Sequence, residues 1–455
     1  MHSDPSSSSS SSSGTPTVRQ VEFNTISASF GPLCAKVSNL HRSLLQQTGY
    51  YDAAPDVITP EQMPSNTALK LLSDGLAHAH ATYLSQNGQS KQSPSAVRIL
   101  FVVQERERNA FDQRALEFDL LERHGIRSTR KTFTSLIHDC EIASHSSALM
   151  LADGASSSKS EISVVYYRAG YSPDDYPTEE HWSLRLKIER SRAIKCPTVA
   201  LQLAGAKKVQ QVLAEPGVVE RFLPGRQADE IEKLRTTWAD LYPLDDSSEL
   251  GREGLRLAMQ HSERFVMKPQ REGGGNNIYR ADIPKALKEM EARDAQRSQA
   301  GGAESLAVLR EREGYILMEL IVPPSGLGNY LLRPPVAGSS SSSPSTIDSG
   351  SGTQTVLSGG SSRGHAEGLT TAECRLSPDV VSELGVYGAA LFRRAPGLSS
   401  PLDESSLYST PQPTTTKSTS SAPTEAAYLL RTKGRESDEG GVAVGFSVLD
   451  SLVLI

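Results

Sequence analysis

Apolar and polar positions divide the chain before any residue is read for chemistry. Residues 1–17 are polar and carry an unbroken serine run over 6–13. Such a run buries no apolar surface, so a disordered tail is expected there. Pattern begins at Val18. Val21 and Phe23 alternate with Glu22 and Asn24, the signal of a half-buried strand. Residues 36–85 read as helical segments around 41–45 and 68–72, followed by a polar linker over 86–95. The pattern then changes to β/α alternation. An apolar strand over 98–103 leads to Asn109 as helix cap, a helix with Phe111, Ala115, Phe118 and Leu121 near one face, and Gly125 just past its end. A second strand spans 161–167. Thr178, Glu179 and Glu180 open a helix carrying Trp182, Leu186 and Ile188, which Cys196-Pro197 closes. Later come a helix entry at 205–211, a charged helical stretch over 227–242, strands at 265–267 and 315–321, and a strand-like piece at 380–388.

A chain of 455 residues has room for two or three domains. The formal charge of −6, with no long basic run, argues against general nucleic-acid binding. No stretch of about 18 apolar residues is present to span a membrane. The N-terminus lacks the apolar core of a signal peptide. Cys34, Cys140, Cys196 and Cys374 are far apart, with no Cys-x-x-Cys pair, which suits reduced thiols in a cytosolic protein. Tracts at about 338–368 and 396–424 are rich in Ser, Thr, Pro and Gly and read as flexible insertions.

Candidate chemistry concentrates where strands end. After 265–267 come Lys268, Glu272, Gly273, Gly274, Gly275, Asn276 and Asn277. Glycines let backbone N–H groups approach phosphate oxygens, the lysine adds charge, and a carboxylate beside phosphates can hold Mg²⁺. The stretch is neither a Walker A loop nor a Rossmann fingerprint, and an NAD-dependent oxidoreductase would rest on β/α alternation alone. Glu22 and Asn24 share one strand face, as metal ligands or as an exposed polar face. Glu107, Arg108, Asn109 and Gln113 follow a strand, where open α/β sheets place ligands; a capping cluster is the alternative. Arg168 and Tyr171 close the second strand. Arg431 and Lys433 precede Glu439 and a small-residue segment over 440–445 that suits a loop closing over an anion.

Seven blocks, taken together and in order, resemble eukaryotic-type glutathione synthetase. They are 21–29 (Glu22-Phe23-Asn24-Thr25-Ile26-Ser27 at its centre), 107–114, 167–171, 202–211, 268–277, 382–385 and 430–433. The resemblance implies an α/β chain: a circularly permuted α+β ATP-grasp fold with an inserted parallel-sheet α/β substrate-binding domain. It divides the chain into the tail over 1–17, an N-terminal remnant of the ATP-grasp body over 18–95, a substrate-binding domain over 96–205, and an ATP-grasp and lid region over 206–455. It implies ATP-dependent joining of γ-glutamylcysteine and glycine through an acyl phosphate, with ATP and Mg²⁺, in a cytoplasmic homodimer that takes neither nucleic acid nor membrane as partner.

By the same resemblance, Glu22, Asn24 and Glu272 are metal ligands. Lys207, Lys268, Gly273, Gly274, Gly275, Asn276, Asn277, Tyr279, Met318, Glu319, Ile321, Glu383, Lys433 and Glu439 contact ATP. Ser27, Ser29, Glu107, Arg108, Asn109, Gln113, Arg168, Tyr171, Arg431, Val442 and Ala443 contact the peptide. Arg431, Lys268 and Glu272 stand nearest the chemistry. The family carries a long folded segment before the Glu22 block, where this sequence has its serine run. A catalytically impaired or truncated nucleotide-binding remnant is therefore the alternative expectation.

Overall fold

The computed structural model describes residues 17–87, 97–152, 158–271, 275–300, 310–333, 373–392, 425–438, 441, 442, 445 and 447–454. Outside them lie almost all of the expected tail and linker, both low-complexity tracts, and Glu272, Gly273, Gly274, Glu439 and Ala443. The chain divides into two compact units, one drawn from 26–200, 384–430 and 449–455, the other from 1–25, 201–383 and 431–448.

In the first unit, helices α1 (Gly31–Gln47), α2 (Ala68–Gln86), α3 (Ala110–His124), α4 (Phe133–Asp139) and α5 (Glu179–Arg190) accompany a six-stranded sheet. Its strands are β1 (Val97–Val103), β2 (Ser128–Thr132), β3 (Cys140–Ile142), β4 (Leu149–Ala152), β5 (Lys159–Tyr167) and β6 (Ile194–Cys196). The order is β2-β1-β5-β4-β3, with β6 also paired to β5. The expected parallel sheet is in fact mixed. β1 runs parallel to β2 and β5, and β6 parallel to β5, but β4 is antiparallel to both β5 and β3.

Alternation along β1 explains why helices cover both faces. Ile99, Phe101 and Val103 join Leu76 of α2 and Leu116 and Leu120 of α3, while Leu100 and Val102 join Phe133, Leu136, Leu184 and Ile188 on the other side. Each such side chain, fully buried, contributes about 1.5–3 kcal/mol.

Two helix faces differ from the periodicity. On α3, Phe111, Phe118 and Leu121 are exposed, and the buried residues are Asp112, Gln113, Leu116, Glu117 and Leu120. Three polar side chains occupy the inward stripe because each finds a partner there, as described below. On α5, Trp182 and Leu186 are exposed while His181, Leu184, Arg185 and Ile188 are buried. α5 ends at Arg190, and Cys196 belongs to a strand instead of closing the helix.

The second unit holds a four-stranded antiparallel sheet of β7 (Leu241–Pro243), β8 (Phe265–Pro269), β9 (Ile278–Tyr279) and β10 (Tyr315–Glu319), in the order β9-β8-β10-β7. Every residue of β8 is buried, including Lys268, which lies opposite Ile316. Helices α6 (Lys207–Ala214), α7 (Ala228–Arg235), α8 (Glu249–Gln260) and α9 (Asp282–Ala300) belong to the same unit.

The half-buried strand expected over 21–25 does not form. Gln20, just before it, bridges Trp238, while 21–25 pairs with no strand among the described residues and Phe23 is 61% exposed. The segment is anchored instead by Arg19, whose guanidinium donates to the Thr236 and Trp238 carbonyls at 2.8 and 2.6 Å.

Candidate active site

Four segments far apart in sequence converge in the second unit. The first holds Glu22 and Asn24, whose side chains meet: Asn24 Nδ2 donates to Glu22 Oε1 at 3.0 Å. Burial alone would push the Glu22 carboxyl up. The Asn24 hydrogen bond and the charges of Lys207, Lys268 and Arg431 outweigh it and hold the group below the usual glutamate range.

The cations come from the other three segments. Lys207, at the start of α6, is buried, and its Nζ donates to the Arg271 carbonyl at 2.9 Å. The next backbone N–H, of Lys208, donates to Gln270 Oε1 at 2.8 Å, so α6 clasps the root of the glycine loop. Lys268 Nζ reaches the Val21 carbonyl at 3.4 Å, tying β8 to the Glu22 segment. Arg431 donates to Glu383 at 2.6 Å, and Lys433 Nζ lies 3.5 Å from the other Glu383 oxygen.

Gly205 explains how the first two segments come so close. A Cβ there would stand 2.4 Å from Thr25 Oγ1, so only glycine admits this approach. Gly275, at the described end of the glycine loop, has φ of 72°, the left-handed region that glycine tolerates.

The residues expected to contact ATP gather only in part. Tyr279, Ile321 and Met318 share one apolar cluster with Leu241, Val266 and Ile316. Asn277 Nδ2 donates to the Tyr279 hydroxyl at 3.1 Å. The Glu319 carboxylate is engaged by Arg264 at 2.6 Å and its backbone N–H by the Asp240 carbonyl at 2.9 Å, while Asn276 is exposed. Of the small-residue segment, Val442 opens a turn closed by the Gly445 N–H at 3.0 Å. Asp438, at its root, was missed by sequence reasoning. Its carboxylate pairs with Arg280 at 2.8 Å, and its carbonyl accepts from Lys433 at 3.2 Å and from Tyr279 at 3.4 Å.

The residues expected to contact the peptide and lying in the first unit form two linked groups. In one, Arg168 is 4% exposed and donates to the Ala28 carbonyl and to Ser29 Oγ, at 2.5 and 2.6 Å. Ser27 Oγ donates to the Tyr167 carbonyl at 3.1 Å. Ser27 and Phe30 both hold positive φ, 53° and 70°, a strain that surrounding contacts must maintain. Asp112 supplies them: its two carboxylate oxygens accept from Phe30 N–H at 2.8 Å and Leu33 N–H at 3.1 Å. Burial pushes the Asp112 carboxyl up, against the pull of the Phe30 N–H, Arg168, the Leu33 N–H and Asn109. The Tyr387 hydroxyl also donates to the Ser29 carbonyl.

In the other group, Glu107 Oε1 accepts from the Asn109 N–H at 2.7 Å and Oε2 from Gln113 Nε2 at 2.5 Å. The Tyr171 hydroxyl accepts from Gln104 at 2.9 Å, and Arg108 is exposed. Asn109 sits at the helix cap as expected, yet its side chain makes no capping bond; its Nδ2 reaches Asp112 at 3.5 Å. Asp112 and Gln104 had no periodic signal; their adjacency to the predicted loop was the clue.

The family profile for the eukaryotic glutathione synthase ATP-binding domain matches residues 2–343 and 367–454. The chain is 35% identical to the glutathione synthetase large chain of Schizosaccharomyces pombe over 447 residues, covering 96% of this chain and 71% of that one. It is 35% identical to human glutathione synthetase over 441 residues, 97% of this chain and 71% of the human one. Against the chloroplastic glutathione synthetase of Solanum lycopersicum the figures are 36% over 436 residues, 96% and 61%, so the chain spans about three fifths of that relative. Among solved structures, a glutathione synthetase-like effector from Globodera pallida in its apo form aligns with a TM-score of 0.53 at 18% identity. That alignment covers 96% of this chain and 72% of the effector, a likeness of fold.

Proposed function

Because this chain belongs to the eukaryotic glutathione synthase family, we propose that it joins γ-glutamylcysteine and glycine into glutathione, converting ATP to ADP and phosphate. The observation that carries this reading is the convergence of Lys207, Lys268 and Arg431 on the ionised Glu22 and its partner Asn24. Cations from three segments suit a polyphosphate and an acyl phosphate. The carboxylate and amide oxygens suit a hard divalent cation.

In the proposed reaction the cysteinyl carboxylate attacks the γ-phosphorus, a C–O–P linkage forms, and ADP departs. The glycine amine then attacks the acyl carbon. The C–N bond forms, phosphate leaves with the C–O electron pair, and the amine proton is released. Lys207, Lys268 and Arg431 hold the phosphates and stabilise charge moving between them. Arg168, Ser27, Ser29, Glu107 and Gln113 are the dipeptide contacts in this reading. Glu22 and Asn24 would hold Mg²⁺, with Glu272 as the third ligand; the neighbouring cations favour a metal that arrives with phosphate oxygens. A magnesium ion held there would neutralise phosphate charge.

The same reading assigns the circularly permuted ATP-grasp order, supported by the antiparallel sheet that carries Lys268, and a cytoplasmic homodimer. No helix among the described residues is long and apolar enough to cross a membrane.

The purified chain, given ATP, Mg²⁺, γ-glutamylcysteine and glycine, should yield tripeptide and phosphate in equal amounts. A folded, ATP-binding chain that yields no tripeptide would refute the activity.

A further inference from the structure

The Glu107 carboxylate is set by a chain of polar groups that begins two elements away. Arg130 lies on β2 with its side chain 15% exposed, and it bridges two residues one turn apart on α3. Its guanidinium donates to Glu117 Oε1 at 2.7 Å and to Gln113 Oε1 at 2.8 Å. Glu117 is 6% exposed and is further satisfied through Oε2 by Arg114 at 3.0 Å and Ser128 Oγ at 3.1 Å. Gln113 is 1% exposed.

A guanidinium has donors only, so the Gln113 carbonyl oxygen must face Arg130. That choice turns the Gln113 NH₂ toward Glu107 Oε2, which it meets at 2.5 Å. Glu107 is thereby held at both oxygens, by Gln113 and by the Asn109 backbone N–H. With the amide flipped, Gln113 would set its oxygen against the carboxylate and release it.

We propose that Arg130 is a positioning residue for the dipeptide site: buttressed by Glu117, it fixes the Gln113 amide and so aims Glu107 at a donor group of the γ-glutamyl peptide. This rests on the reading of Glu107 and Gln113 as dipeptide contacts. A lysine cannot replace Arg130, because one ammonium lacks the planar fork that spans Glu117 and Gln113 together.

The test compares the wild-type chain with Arg130→Lys, Arg130→Met, Gln113→Leu and the Arg130→Met/Gln113→Leu double variant. Both Arg130 variants should raise KM for γ-glutamylcysteine about ten-fold or more, the size expected when a charge-assisted hydrogen bond is lost, and leave KM for ATP unchanged. Arg130→Lys, whose ammonium still faces Glu117, should keep a cooperative melt and wild-type KM for ATP, which separates positioning from loss of the fold. The double variant should be no worse than Gln113→Leu alone. Wild-type KM in Arg130→Lys, additive effects in the double variant, or an equal rise in KM for ATP would overturn the proposal. Hydrogen exchange at the Asn109 N–H reads the relay without turnover, and should quicken in both Arg130 variants; unchanged exchange overturns the relay itself. A wild-type chain that neither binds nor converts the dipeptide overturns the functional reading, while the exchange result still decides the relay.

Discussion

The Asn24 side-chain amide donates a 3.0 Å hydrogen bond to Oε1 of Glu22, inside the field of Lys207, Lys268 and Arg431. Glu22→Gln keeps the shape and removes the charge those cations face. Its folded-state pKa is depressed, so the stability it contributes is present above the ordinary glutamate value of 4.5 and lost as pH falls through the lower folded value. Glu22→Gln should therefore cost roughly 1–3 kcal/mol at neutral pH, and the gap should close on acidification. Denaturant melts of both proteins across the acid range would show this. A gap independent of pH would count against the charge account.

Gly205→Ala brings a methyl group to 2.4 Å from Thr25 Oγ1 and 3.2 Å from its Cβ and Cγ2. Thr25 is β-branched and has little freedom to retreat, so the Glu22 segment must shift. The expected outcome is a loss of about 1–3 kcal/mol with a weaker Mg²⁺ dependence of turnover. A magnesium titration at saturating ATP reads the second part.

Arg431→Lys keeps the charge but not the fork that holds Glu383. If Arg431 stabilises charge on the phosphoryl group in transit, kcat should fall on the order of a hundred-fold with little change in KM for ATP. A change confined to KM for ATP would make Arg431 a nucleotide-binding group only.

Asp112→Asn leaves one acceptor oxygen where two now receive Phe30 N–H and Leu33 N–H. The turn carrying Ser27 and Ser29 should loosen, raising KM for γ-glutamylcysteine several-fold, as for one lost hydrogen bond. Stability should move the other way with pH. The folded-state pKa of Asp112 is raised, so wild type loses stability as pH rises from 3.8 through the raised value, and the asparagine variant does not. Paired melts should show the variant gaining on wild type over that window.

The apolar runs were legible as strands. Residues 98–103 and 265–267 became β1 and the start of β8 because continuous apolar runs are what buried strands require. Alternation at Val21 and Phe23 looked the same, yet Phe23 is 61% exposed: pattern records hydrophobicity, while a strand also needs a neighbour for its backbone. The inward face of α3 was illegible for a related reason. Its polar residues are buried because Arg130, Phe30 N–H and Leu33 N–H meet them, and partners so distant in sequence leave no period. Glu22, Lys207 and Lys268 were legible as members of family blocks, whereas Asp112 lies inside such a block with no periodic or chemical signal of its own. Asp438 and Arg130 lay outside every block.

Oxygen transfer tests the central claim most directly. γ-Glutamylcysteine carrying ¹⁸O in both cysteinyl carboxylate oxygens would be turned over with ATP, Mg²⁺ and glycine in ordinary water, and the released phosphate analysed by mass. An acyl phosphate opened by the glycine amine delivers one labelled oxygen to phosphate for each tripeptide formed. Unlabelled phosphate would mean that water, not the dipeptide carboxylate, took the γ-phosphoryl group, and would contradict the account.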